Sequence, residues 1–106
     1  MRDIRTIWKY TMPGILERRP QDGFVTLFMP TGAKVVSVGL QRGVACLWAE
    51  VWVPSEGEPD LNAAVRVFVA WTNEEIPVDG PHRFIGTVND DATGLVGHFY
   101  VWGAAH

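Results

Sequence analysis

A chain of 106 residues, 47% of them hydrophobic and 20% charged, is long enough to bury one hydrophobic core, too short for two, and too apolar to be disordered. Its formal net charge is −3, and its nine lysines and arginines are scattered singly apart from Arg18-Arg19, which excludes the basic footprint of a protein that tracks duplex nucleic acid. The single cysteine excludes an internal disulfide, and no stretch approaches the roughly 20 apolar residues that span a bilayer as a helix.

Residues 1–106 are therefore expected to form one domain, and its elements read in order as strands. Ile4 to Tyr10 alternates, with Ile4, Thr6, Trp8 and Tyr10 on one side and Arg5, Ile7 and Lys9 on the other. Met12-Pro13-Gly14 stops this strand, because proline removes a ladder donor and glycine loosens the backbone. Ile15 to Gly23 reads as loop, with room for at most one short helix over residues 14–19. Phe24 to Met29 is β-branched and aromatic, and Pro30-Thr31-Gly32 follows as a turn.

Ala33 to Val53 is the central hairpin, two apolar arms split by Gln41-Arg42-Gly43, where glycine supplies the positive φ of a tight reversal. In its first arm Lys34, Val36, Val38 and Leu40 point one way and Val35, Ser37 and Gly39 the other. In the second arm Val44, Cys46, Trp48, Glu50 and Trp52 oppose Ala45, Leu47, Ala49, Val51 and Val53, and both faces are largely apolar. Such a strand belongs in the middle of a sandwich or barrel, or at a subunit contact, so Trp48 and Trp52 are expected to be scaffold or interface residues. Pro54 to Asn62 is an acidic loop. Ala63 to Thr72 resumes strand character, with Val65, Val67, Val69 and Trp71 opposite Arg66, Phe68 and Ala70. Asn73 to Pro81 is a second acidic loop. His82 to Val88 follows as a strand in which Gly86 marks a bulge or close backbone approach, Asn89 to Gly94 as a turn, and Leu95 to Trp102 as the last strand before a small-residue tail. The expected fold is all-β and mainly antiparallel: a small β-sandwich or partly open barrel of about seven strands.

The segments Ile7 to Tyr10 (IWKY), Met29 to Val38 (MPTGAKVVSV), Cys46 to Val51 (CLWAEV) and Phe84 to Val88 (FIGTV) together resemble a widespread family of small uncharacterised proteins found mainly in tailed-phage and prophage genomes. The resemblance covers Ile7 to Trp102 and implies no established activity. Relatives often carry a glycine-threonine-glycine-histidine-proline stretch after the fifth strand. Here the corresponding region is Ala70 to Pro77, where Thr72 and the Ile76-Pro77 pair are retained and the histidine is not.

Catalytic groups are sparse. His82, His98 and His106 stand at no zinc-type spacing from one another or from Cys46, so neither a metal site nor a cofactor is expected. His98 reads as a hydrogen-bonded core or rim histidine and His106 as part of a mobile end. Ser37 and Ser55 lie in no nucleophile motif, and Asp90-Asp91 and Glu74-Glu75 read as solvated turn carboxylates. The opening MRDIRTIWKYTMPG has no apolar stretch of signal-peptide length, and Cys46 sits among apolar residues, so the expected compartment is the cytoplasm, that of the host if the chain is phage-encoded.

Five tryptophans remain to be explained. Trp8 flanks Lys9 and Tyr10, Trp71 ends a strand beside Thr72, and Arg66 and Arg83 sit within strand patterns. An arginine fork can hold a phosphate or carboxylate while a neighbouring ring stacks on a base. Trp8, Lys9, Tyr10, Arg66, Trp71, Thr72 and Arg83 are accordingly the expected ligand-binding residues. The expected activity is non-enzymatic: sequestration of a small anionic, ring-containing ligand such as a host nucleotide immune signal. The alternative is a protein-interaction module that forms a homo-oligomer or binds and inhibits a host protein. Neither reading involves a membrane.

Overall fold

The structure, a computed structural model, describes residues 3–103; His106 and the rest of the expected tail at 104–106 lie outside the described residues. Seven strands follow one another: β1 (Asp3–Thr11), β2 (Phe24–Met29), β3 (Lys34–Gln41), β4 (Val44–Pro54), β5 (Ala63–Trp71), β6 (His82–Asp90) and β7 (Leu95–Trp102). They form two antiparallel sheets, a three-stranded one in the order β1-β4-β3 and a four-stranded one in the order β2-β5-β7-β6. The expected all-β architecture is therefore present, as a small sandwich not closed into a barrel. Among the described residues there is no helix, and so none long and apolar enough to cross a membrane. Over residues 13–18 the chain makes consecutive turns instead, with the Arg18 N–H donating to the Gly14 carbonyl at 2.8 Å.

The central hairpin forms because its two-residue loop matches the twist of its arms. Gln41 pairs with Val44, and Arg42 and Gly43 between them both take positive φ, 52° and 77°, the signature of a type I′ turn. β4 lies in the middle of its sheet, paired on both edges, and one of its two apolar faces meets the other sheet. Ala45, Leu47, Ala49 and Val51 are buried in the core between the sheets. On the other face Cys46 is also buried, Trp48 is half-buried and Trp52 is exposed. Lys9 on β1 donates to the Gln41 side chain at the far end of β3, 2.7 Å away. Its aliphatic stem therefore crosses β4 and helps to cover Cys46.

Simple alternation fails in β3. The β3–β4 register shifts between Val35 and Ser37, so the extra residue, Val36, turns outward and is exposed. Val35 and Val38, expected on opposite faces, both pack into the core as a result. The bulge anticipated in β6 is present between Phe84 and Gly86. Gly86 has φ 153°, and a Cβ there would lie 2.9 Å from Val38 Cγ1, so the glycine permits β6 to close against β3. The Arg83 Nη2 donates to the Val35 carbonyl at 2.7 Å and fastens the same seam.

The loop between β1 and β2 is more than a connection. Met12, Ile15 and Leu16 are buried with the core valines and Phe99, closing the end of the sandwich near the β3–β4 turn. Two expected surface carboxylates also turn inward. Asp90 is buried, with its Oδ1 accepting the Ala92 N–H at 3.0 Å and its carbonyl accepting the Gly94 N–H at 2.7 Å, so it organises the β6–β7 turn. Glu74 is half-buried against Arg19, whereas Asp91 and Glu75 are exposed as expected.

Tyr10 packs its ring against the core, and its hydroxyl is buried without a hydrogen-bond partner. Burial raises its pKa above the usual tyrosine value. Because an orphaned buried hydroxyl costs about 1–3 kcal/mol, Tyr10→Phe is expected to raise stability by about 1 kcal/mol. Urea denaturation checks this through the midpoint; an unchanged or lowered midpoint would mean that the hydroxyl has a partner in solution.

Candidate functional site

The outer face of the four-stranded sheet carries an aromatic row built by strand register. Phe24, Phe68 and Tyr100 face one another across β2, β5 and β7, and Phe84 on β6 completes the line. Beside them, Thr26, Arg66, Trp102 and His82 form a second four-strand row. Cross-strand partners share a face, so alternate residues of all four strands collect here.

Ring geometry ties the rows together. Phe24 lies 4.9 Å from Phe68 and 5.3 Å from Trp102, while His82 stacks on Trp102 at 4.4 Å with 12° between the planes. The Arg66 guanidinium sits 4.0 Å over the Phe24 ring. The 73–81 loop covers part of the surface: Ile76 packs against this cluster, and the Trp102 indole N–H donates to the Asp79 carbonyl at 2.9 Å. Trp102 is consequently buried. The β6 end stays open, where Phe84 is 51% exposed and meets Tyr100 edge-on at 5.3 Å.

A polar group lies one row further along. His98 Nε2 is 2.9 Å from Thr72 Oγ1 and its Nδ1 is 2.9 Å from Thr87 Oγ1. Both ring nitrogens thus have a threonine hydroxyl as partner, and His98 is held as a hydrogen-bonded rim histidine.

The expected ligand-binding residues do not meet in one concavity. Trp8 and Tyr10 lie on the inner face of β1, half-buried against the core, and Lys9 projects from its outer face. Arg66 lies on the outer face of the other sheet. Trp71 packs inward under the Arg19 guanidinium, 5.2 Å from its ring centroid. Arg83 reaches the β3 carbonyl, and of the expected set only Arg66, over Phe24, and Thr72, at His98, stand at the outer aromatic surface. Trp48 and Trp52, expected as scaffold or interface, lie on the outer face of the three-stranded sheet, with the Arg5 guanidinium 5.7 Å over the Trp52 ring.

A half-open hollow, lined in part by Met12, Glu17, Leu40 and Asp90, holds about 10 Å³, room for roughly one water. Among the described residues, no three His, Cys, Asp or Glu side chains group as metal ligands would. Phe24, Phe68, Phe84, Tyr100 and His82 were not among the expected ligand-binding residues, although the period-two alternation of four strands was the signal that could have grouped them.

Residues 3–105 match the family model described as a domain of unknown function, DUF7352. The chain belongs to the DUF7352 family. Neither the curated proteins nor the solved structures contain a match to it. In this DUF7352 domain the segment Ala70 to Pro77, where the resemblance placed a departure from the usual pattern, works as a clamp. Asn73 takes a positive φ of 71° in its turn. Glu74 Oε1 and Oε2 accept from Arg19 Nη1 and Nη2 at 2.7 and 2.8 Å, and Oε1 also accepts the Trp71 N–H at 3.0 Å. Its carboxyl is thereby held below the usual glutamate range, first by the Arg19 hydrogen bonds.

Proposed function

We propose that this domain is a non-enzymatic binding module that recognises a protein partner through an exposed sheet surface. The observation that carries the reading is the open end of the outer aromatic surface, where Phe84 stands exposed against Tyr100 while the neighbouring rings are packed beneath the 73–81 loop. Aromatic side chains of this kind, rigid and partly supported from behind, are the residues that dominate protein interfaces. Recognition on a face needs neither an acid and base pair nor an enclosed cavity.

The test is the Phe84→Glu variant. Its thermal midpoint is expected to stay within about 2 °C of the parent, because the ring is half exposed, while a partner cross-linked to the parent chain is lost. Identical cross-linked species from parent and variant, or none from either, would sink the reading.

A second reading, capture of an anionic ring compound such as a nucleotide signal by a phage-encoded protein, is favoured by the row Thr26, Arg66, Trp102 and His82. There a guanidinium already ordered over Phe24 and an imidazole flank one indole on a single face. Heating the chain with a nucleotide panel separates the two. A rise in midpoint that Arg66→Ala removes supports nucleotide capture and counts against a protein partner on this face.

A further inference from the structure

Three strands stand against four in this sandwich. The sheets are drawn together along β3 and β6, by Arg83 on the Val35 carbonyl and by Gly86 against Val38, so the missing strand falls on the opposite side, where β1 and β2 are the free edges. Side-chain burial records the gap. Val65, Val67 and Val69 on β5 are fully buried, whereas Val25 and Leu27 on β2 and Trp8 and Tyr10 on β1 pack inward yet remain only half-buried.

Among the described residues no strand pairs with the backbone of β1 on that side. The Met12 N–H donates to the Ala45 carbonyl at 2.9 Å in continuation of the β1–β4 register. By the alternation of an antiparallel ladder, the even-numbered residues of β1 therefore bond to β4, and Asp3, Arg5, Ile7, Lys9 and Thr11 direct their N–H and C=O groups outward. The edge runs nine residues without proline or bulge, features by which an edge is usually blunted. Its charge is also weakly compensated. Arg5 reaches Glu50 only at 3.9 Å with its side chain 61% exposed, and Lys9 is hydrogen-bonded to a neutral amide.

We propose that β1 accepts an added strand, an extended segment of a partner protein. That segment carries acidic residues four apart, opposite Arg5 and Lys9, and apolar residues between them that cover the inner side chains of β1 and β2. Main-chain bonds to the outward groups of Arg5, Ile7 and Lys9 hold it, and the alternating side chains select it. This rests on reading the domain as a binding module and places a second contact on it, separate from Phe84 and Tyr100.

The probe is the capped heptapeptide Val-Glu-Val-Thr-Val-Glu-Val, whose sequence reads the same in either chain direction, titrated into the ¹⁵N-labelled full chain. The amides of Arg5, Ile7 and Lys9 are expected to shift and to gain at least about tenfold protection from hydrogen exchange, as bonded edge amides do. Replacing both glutamates of the peptide with lysine is expected to weaken binding about tenfold, since two cross-strand attractions become repulsions. The Arg5→Glu/Lys9→Glu chain is expected to reverse that preference, a result that loss of fold cannot mimic. No change at these amides at millimolar peptide, or equal binding of the two peptides, overturns the proposal. So does protection of Ile7 that grows with protein concentration alone, which assigns the edge to a second copy. Because each of these outcomes leaves the Phe84→Glu comparison unaffected, failure here and failure of the binding-module reading can be told apart.

Discussion

Replacing Arg19 with alanine is expected to lower stability by about 2–4 kcal/mol, the largest loss from any single charged side chain described above. Arg19 lies in the loop between β1 and β2 with its side chain only 10% exposed, and it joins three parts of the fold. Its fork holds both oxygens of Glu74, the same Nη1 donates to the Val69 carbonyl of β5, and the guanidinium covers Trp71. Removing it leaves a partly buried carboxylate and a strand carbonyl without their donor. The measurable result is a fall in thermal midpoint of about 10–20 °C for a domain of this size. A double-mutant cycle with Glu74→Ala is expected to show strong coupling, the pair costing well under the sum of the singles. Additive losses would mean that the two side chains stabilise the fold independently.

The same contact sets a pH dependence. The folded-state pKa of Glu74 lies below its ordinary value of 4.5, so its contribution is fully present above that value and is lost as pH falls through the lowered folded one. In the Arg19→Ala chain the acid limb of the stability curve is expected to flatten. Comparing urea midpoints of the two chains between pH 3 and 6 reads this directly, on the order of the usual carboxylate window.

Gly97→Ala is expected to cost about 1–3 kcal/mol, although one methyl is all that it adds. A Cβ at this position in β7 would lie 2.6 Å from Leu16 Cδ2, 3.1 Å from Val69 Cγ1 and 3.2 Å from Phe99 Cε1. All three neighbours are buried, so none can move aside into solvent. The glycine is therefore the socket that admits Leu16 from the β1–β2 loop. Leu16→Ala alone should cost about 2–5 kcal/mol through the cavity it leaves. Combined with Gly97→Ala it should cost clearly less than the two together, because the new methyl occupies space that the leucine vacates. Strict additivity in chemical denaturation would mean that Leu16 does not seat against β7.

These two sites illustrate what could be read from the residues and what could not. The strand positions were legible: Phe24 to Met29 is a strand over those residues, and the Gln41-Arg42-Gly43 break holds the reversal that its glycine suggested. Gly86 marks a bulge as its place in an apolar strand implied. By contrast the bulge at Val36 carried no glycine to announce it, and it reversed the faces assigned to half of β3. The β1–β2 segment read only as a strand stop and a loop, yet Met12, Ile15 and Leu16 are in the core.

For the candidate site, part of the outcome was implicit in the alternation. Trp8 and Lys9 are neighbours in a strand and must point to opposite faces, as must Arg66 and Trp71, five residues apart in β5. What the sequence by itself determined about this protein was local: which residues extend, where they turn, and which of them share a face, because φ, ψ preference and a side-chain period of two act over a few residues. Only the tertiary structure decided which faces meet. Arg19 finds Glu74 55 residues away, the aromatic row assembles from four strands, and β1 is left at an open edge. Those outcomes follow from strand order and close packing, which depend on the fit of remote segments and leave no periodic mark in the chain.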